Sequence, residues 1–127
     1  MSGYIANIEE KTQANDYFRE VLFTAEHCQL VVMALNPNED IGEEVHTTVD
    51  QFLRIESGEG KAVLDGQETS LHDGDCVVVP AGTKHNIINT SSSSALKLYT
   101  IYTPPEHRDG TIHKTKVDAL ADENDHA

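Results

Sequence analysis

At 127 residues, with 22 acidic side chains against 9 basic and a net charge of −13, the chain has the size of one domain and a strongly acidic surface. A domain of this length can bury a real core, and its charge repels phosphate backbones and anionic headgroups, so neither nucleic acid nor membrane is an expected partner. No apolar run approaches the roughly 18 residues of a membrane-crossing helix.

Residues 1–28 are expected to form an N-terminal extension. They carry neither the basic nor the apolar region of a secretory signal, which predicts a cytoplasmic protein. Tyr17–Phe23 fits a strand or a helical turn, and Leu22 and Phe23 need a burial site. A strand added to a neighbouring copy's sheet would supply one, which predicts a homodimer. Cys28 and Cys76 match no metal or redox spacing, and their apolar flanks predict buried free thiols.

From residue 29 the pattern clears. Gln29–Leu35 is a continuous apolar run of strand length, ended by Asn36-Pro37-Asn38. Glu43–Thr47 is a short segment, and Gln51–Ser57 alternates as a half-buried strand does. Ser57–Gly60 turns the chain into Lys61–Leu64. Asp65-Gly66 is a strong two-residue hairpin signal, because both positions of that turn need positive φ. Gln67–Leu71, Cys76–Val79, His85–Asn89 and Leu96–Tyr102 follow, separated by Gly, Pro, Asn and Ser. About eight short strands with no helical period between them predict an all-β sandwich or jelly roll over 29–103. Residues 104–127 are expected to be an exit loop and an acidic tail, with Asp118–His126 either solvated or a frayed short helix.

Two segments carry side chains suited to chemistry. In a strand, residues two apart share a face, so Glu44 and His46 point together, and Gln51 begins the next strand. If those two strands pair, three ligand-capable side chains meet on one hairpin, and His85 must come from elsewhere. The second segment, Gly74 to Asn89, has the order Gly, five residues, Pro-x-Gly, two residues, His, three residues, Asn.

That segment resembles the second cupin motif at every spacing, through Gly74, Pro80, Gly82, His85 and Asn89. The first segment is similar to the first cupin motif, His-x-His, then Glu, then Gly, with Glu44, His46, Gln51 and Gly58 in those slots. Taking His46 as the first His instead would put Thr48 in the second slot and Phe52 or Leu53 in the Glu slot, none of them a useful ligand. The resemblance covers about residues 29–102 and implies a double-stranded β-helix barrel holding one divalent metal ion on Glu44, His46, Gln51 and His85. Glu44 replaces the usual first His and Gln51 the usual Glu, so the set keeps two imidazoles and one carboxylate with the carboxylate moved. Such a kit suits Zn, Mn, Fe, Ni or Co, and mixed sets of this type resemble the phosphomannose-isomerase branch, which makes a sugar a plausible substrate.

Other readings of single residues stay open. Gln51 is either a ligand or a barrel residue that only hydrogen-bonds. Tyr102 and His107 are weak catalytic candidates: the Pro-rich segment from Tyr102 to Gly110 either folds over the barrel mouth or leaves as a loop with a solvated His107. His27, His72, His113 and His126 are expected on the surface, Asp75 in a turn, and Arg54 pointing away from the site, while Arg19, Arg54 and Lys97 are the cations available to an anionic ligand. Two functions remain: a metal-dependent enzyme of isomerase or oxygenase type acting on a sugar or keto acid, and a non-catalytic module that binds or senses a small molecule.

Overall fold

The computed structural model describes residues 2–126. Its elements in chain order are α1 (Ile8–Ala14), β1 (Arg19–Thr24), β2 (Gln29–Leu35), β3 (Asp50–Ser57), β4 (Glu59–Leu64), β5 (Gln67–His72), β6 (Cys76–Val79), β7 (His85–Asn89), β8 (Leu96–Thr103), β9 (Ile112–His113) and α2 (Lys116–Ala121). Two antiparallel sheets enclose the core. One has the order β6-β3-β8-β2-β1-β9 and the other β5-β4-β7. Val31, Met33, Leu35, Leu53, Ile55, Val77, Val79, Leu96 and Leu98 from the larger sheet meet Ala62, Leu71 and Ile87 from the smaller one. This is the expected double-stranded β-helix, with every strand anticipated from residue 29 onward present except at residues 43–47.

Local sequence accounts for the strand junctions. Asp65 and Gly66 both have positive φ (48° and 84°), as the two-residue turn between β4 and β5 requires. Gly58 also has positive φ, 98°, and a Cβ there would lie 2.6 Å from the Ala95 carbonyl oxygen. The glycine spaced after Gln51 is therefore needed both for its backbone angle and for the close passage of the chain before β8. α1 is short but well capped: the Asn7 side chain accepts from Glu10 N at 3.0 Å, and Glu9 and Glu10 sit in the first turn, where the helix dipole favours acids.

Three expectations are corrected. β1 pairs with β2 of its own chain and extends the larger sheet, rather than joining a neighbour's sheet, and Leu22 and Phe23 are half-buried there. The extension therefore contributes to the barrel. Cys28 and Cys76 are free thiols but exposed, each lying at the end of an apolar run rather than within it. The segment after residue 103 does more than trail off: β9 pairs with β1, the short helix expected near the end is α2 with no buried residue, and the chain returns to bury Asp125. Among the described residues, no helix is long and apolar enough to cross a membrane.

Candidate metal centre

The site begins with a backbone pair. Glu44 N donates to the His85 carbonyl and His85 N to the Glu44 carbonyl, both at 2.9 Å, an isolated antiparallel bridge. Directly opposed residues of such a pair put their side chains on the same face. Glu44 is therefore set against β7 in the smaller sheet and not, as the hairpin argument supposed, against β3. The Pro80–Thr83 turn is tied down from two sides. Gly82 N donates to the His46 carbonyl at 2.8 Å, and Ala81 N donates to Asp50 Oδ1 at 2.8 Å. The second motif thus holds the first in place while delivering His85.

Ligand-capable atoms of Glu44, His46 and His85 all lie within 4.8 Å of one another. The two imidazole centroids are 5.2 Å apart, and His46 Nε2 lies 3.0 Å from Glu44 Oε2. His85 Nδ1 lies 2.9 Å from the Thr83 carbonyl, which can only accept, so Nδ1 donates and Nε2 is the nitrogen left for another partner. His46 has an outer partner too, Glu106 Oε1 at 3.5 Å from Nδ1.

Gln51 comes from the opposite sheet. It faces Tyr102 across the β3–β8 ladder, and Tyr102's ring packs edge-on to that of His46 at 6.1 Å. Gln51 is 3% exposed. Its orientation follows from hydrogen bonding: the Thr100 hydroxyl donates to the Phe52 carbonyl at 2.9 Å, so Thr100 Oγ1 is left to accept, and Gln51 Nε2 donates to it at 3.0 Å. The amide oxygen is thereby turned the other way, buried and without a partner in the protein.

The charges at the cluster are mutually supporting. Burial, the largest single influence on Glu44, pushes its carboxyl up, but the hydrogen bond and charge of His46, with Arg19 and His85 behind them, bring it below its ordinary value. His46 is raised, chiefly by the Glu44 hydrogen bond, against the cost of its own burial and with Glu106 adding.

A cavity of about 580 Å³ opens beside the cluster, walled by Arg19, Glu44, His46, Glu106, His107 and Asp125 among others. Tyr102 and His107 are both buried, with rings 5.0 Å apart in an edge-on arrangement. Burial, the main cause, drives the Tyr102 phenol far above its ordinary value, so it stays protonated. His107 is not solvated, since the segment after β8 folds back over the barrel mouth. Asp125 approaches His107 Nδ1 with both oxygens at 3.0 Å. His113 is buried as well, between Arg19 Nη1 at 3.2 Å and Asp122 Oδ2 at 2.9 Å. His27, His72 and His126 are on the surface as expected. Arg54 is exposed and paired with Glu56 at 2.9 Å, and Lys97 bonds Gln13 O and Asp16, so of these three cations only Arg19 stands on the cavity wall, which it shares with Lys116, itself paired with Asp40. Sequence reasoning missed Glu106, His113, Asp122 and Asp125. Glu106 had a weak signal in its place beside His107; the others meet only through tertiary closure.

The cupin-domain family profile matches residues 31–102. The uncharacterized protein YrkC of Bacillus subtilis (strain 168) is 46% identical over 127 residues, covering 95% of this chain and 68% of its own. The uncharacterized protein L612 of Acanthamoeba polyphaga mimivirus is 46% identical over 112 residues, covering 86% of this chain and 70% of its own. The crystal structure of BH2720 from Bacillus halodurans superposes with a TM-score of 0.91 at 41% identity, covering 94% of each chain. A barrel of facing antiparallel sheets, both motifs at their spacings, and the profile match over most of the strands together place the chain in the cupin family.

Proposed function

We propose that Glu44, His46, Gln51 and His85 hold one divalent transition metal, and that the protein is a metal-dependent enzyme acting on a small polar substrate such as a sugar or keto acid. The observation that carries this reading is the buried Gln51 oxygen without a partner, on a residue facing Tyr102, whose ring packs on His46, together with three residues whose donor atoms already lie within 4.8 Å of one another. A buried polar atom is nearly always paired, and an amide oxygen, a carboxylate and two imidazoles suit Zn, Mn, Fe, Ni or Co. The outer partners fit as well: metal-bound histidines commonly give their second nitrogen to a carbonyl or carboxylate, the places held here by Thr83 and Glu106. When bound, such an ion acts as a Lewis acid toward a carbonyl or hydroxyl oxygen. The protein's own contribution is to fix the ligands on two sheets and to offer a cavity wall rich in hydrogen-bonding groups.

Metal analysis of protein purified without chelator tests the reading. We expect about one equivalent in the wild type and loss of most of it in Glu44→Ala and in His46→Ala. Thr48→Ala, in the exposed bend between the two ligand segments, should retain its metal. Equal loss in Thr48→Ala with retention in Glu44→Ala would mean that the first motif is in the other register.

A further inference from the structure

Among the described residues, three buried side-chain polar atoms have no hydrogen-bond partner: Nε of Arg19, Oε1 of Gln51 and Nε2 of His107. All three belong to one end of the barrel. Gln51 stands opposite Tyr102, Tyr102 packs on both His46 and His107, and Arg19 and His107 line the same cavity as Glu44 and His46. The Gln51 oxygen is absorbed by the metal set. Arg19 and His107 are not, and their two orphan atoms call for a ligand that is not part of the chain.

His107 is held as a proton-transfer group is held. The fully buried Gln29 clamps its backbone from both sides, Nε2 donating to the His107 carbonyl at 2.7 Å and Oε1 accepting from His107 N at 2.9 Å. Its ring is then oriented by Asp125. Burial, the largest influence on Asp125, pushes its carboxyl up but is outweighed by His107, with Arg19 and His113 adding, so the group is an acceptor-only carboxylate. Nδ1 therefore donates to Asp125, and Nε2 is the ring nitrogen left without a partner, with a buried anion behind the ring that would stabilise an imidazolium. Arg19 brings a planar guanidinium suited to carboxylate oxygens. Its guanidinium stacks over Phe18 at 5.2 Å, and Nη1 is engaged by His113 and Asp125, while Nε is spare. The carboxylates of this cavity are already matched: Glu44 and Glu106 by His46, Asp122 by His113, Asp125 by His107.

We infer that the cavity takes a small 2-oxo carboxylic acid, its carboxylate on Arg19 Nε, and that His107 Nε2 is the base that removes and returns the proton on the carbon beside the oxo group. In that step the C–H bond breaks, its electron pair becomes the enolate double bond with the charge on the oxo oxygen, and the proton passes to Nε2. Return of a proton to carbon restores the ketone, with no net oxidation. The inference rests on the metal set proposed above, which shares this cavity. Asp125 is a positioning residue.

Hydrogen–deuterium exchange of 2-oxobutanoate and 2-oxoglutarate in heavy water, followed by proton NMR, tests this, with butan-2-one as the neutral control and a metal-only blank. Metal-loaded wild type should exchange the proton beside the oxo group well above the blank. His107→Gln, at unchanged metal content and circular dichroism, should lose about 100-fold or more. Asp125→Asn should lose about 10-fold and change the pH–rate profile, and Arg19→Gln should raise the half-saturating concentration of the acids without affecting the ketone. Thermal shifts with 2-oxobutanoate in metal-free protein should show the same dependence on Arg19. Wild-type exchange in His107→Gln overturns the inference. If that variant does not fold, an unchanged pH–rate profile in Asp125→Asn overturns it instead. No exchange by wild type that carries its metal overturns it too, while leaving the metal reading standing; wild type that binds no metal sinks the metal reading.

Discussion

His46 has two carboxylates about it, and they do different things. Glu44 shares its Nε2 side and belongs to the ligand cluster, whereas Glu106 faces Nδ1 at 3.5 Å from a segment outside both motifs. A ring whose second nitrogen donates to a carboxylate is a stronger and better-aimed ligand. Glu106→Ala should therefore lower metal affinity by about 10-fold or more, while Glu44→Ala removes binding, a difference that titration with a chromophoric chelator would resolve. Equal affinity in Glu106→Ala and wild type would show that the 3.5 Å contact does not orient the ring. Glu44, His46 and His85, which lie within 4.8 Å of one another, were legible as a set because their spacing repeats a known pattern. Glu106 and Asp125 were not, since nothing local in a Pro-rich loop or an acidic tail says which histidine each will meet.

The strands were legible for a related reason. Alternation in Gln51–Ser57 and the unbroken apolar run of Gln29–Leu35 report burial directly, and turn residues mark where each ends. β1 was ambiguous because only Arg19 and Val21 of its six residues are buried, and one of these is an arginine whose place depends on β9 and Asp125. Residues 43–47 were expected to pair with the next strand. They bridge to β7 instead, because the first-motif segment crosses to the smaller sheet and only β3 returns to the larger. Gly60 tests how closely that smaller sheet packs on β8. Its φ is not in the left-handed region, so an added Cβ would cost sterically only: it would lie 2.5 Å from the Ile88 carbonyl oxygen and 2.9 Å from Leu96 Cδ2. Gly60→Ala should destabilise by about 1–3 kcal/mol, seen as a lower urea midpoint at unchanged slope. A midpoint equal to wild type would mean that β4 can shift against both Ile88 of β7 and Leu96 of β8 without penalty.

The whole molecule is a barrel whose mouth is crossed by its own C-terminal segment, and carboxylates fasten that segment. Asp40 on the barrel pairs with Lys116 of α2, Asp122 with His113, and Asp125 with His107 and Arg19. All three acids lie below their ordinary value of 3.8: Asp40 mainly through Asn86 and Lys116, Asp122 mainly through His113, and Asp125 despite its burial, through His107, Arg19 and His113. A carboxylate with a lowered folded pKa contributes stability above its unfolded pKa and loses it as pH falls through the folded one. The segment should therefore loosen below about pH 4, ahead of the apolar barrel, as a local opening rather than global unfolding. Metal-free protein is the right sample, because Glu44 is lowered too and would add loss of ligation to the same window. Hydrogen exchange across 104–126 should quicken as pH drops from 5 to 3, after correction for the intrinsic rate, while β2 and β8 stay protected. Asp125→Asn should be less stable than wild type by about 1–2 kcal/mol at pH 7, and the gap should narrow as pH falls below the ordinary carboxylate value toward the lowered folded value of Asp125. A stability gap that does not narrow at all as pH falls from 7 to 3 would assign the effect of Asp125 to packing, and the charge on this carboxylate would then have no part in closing the barrel.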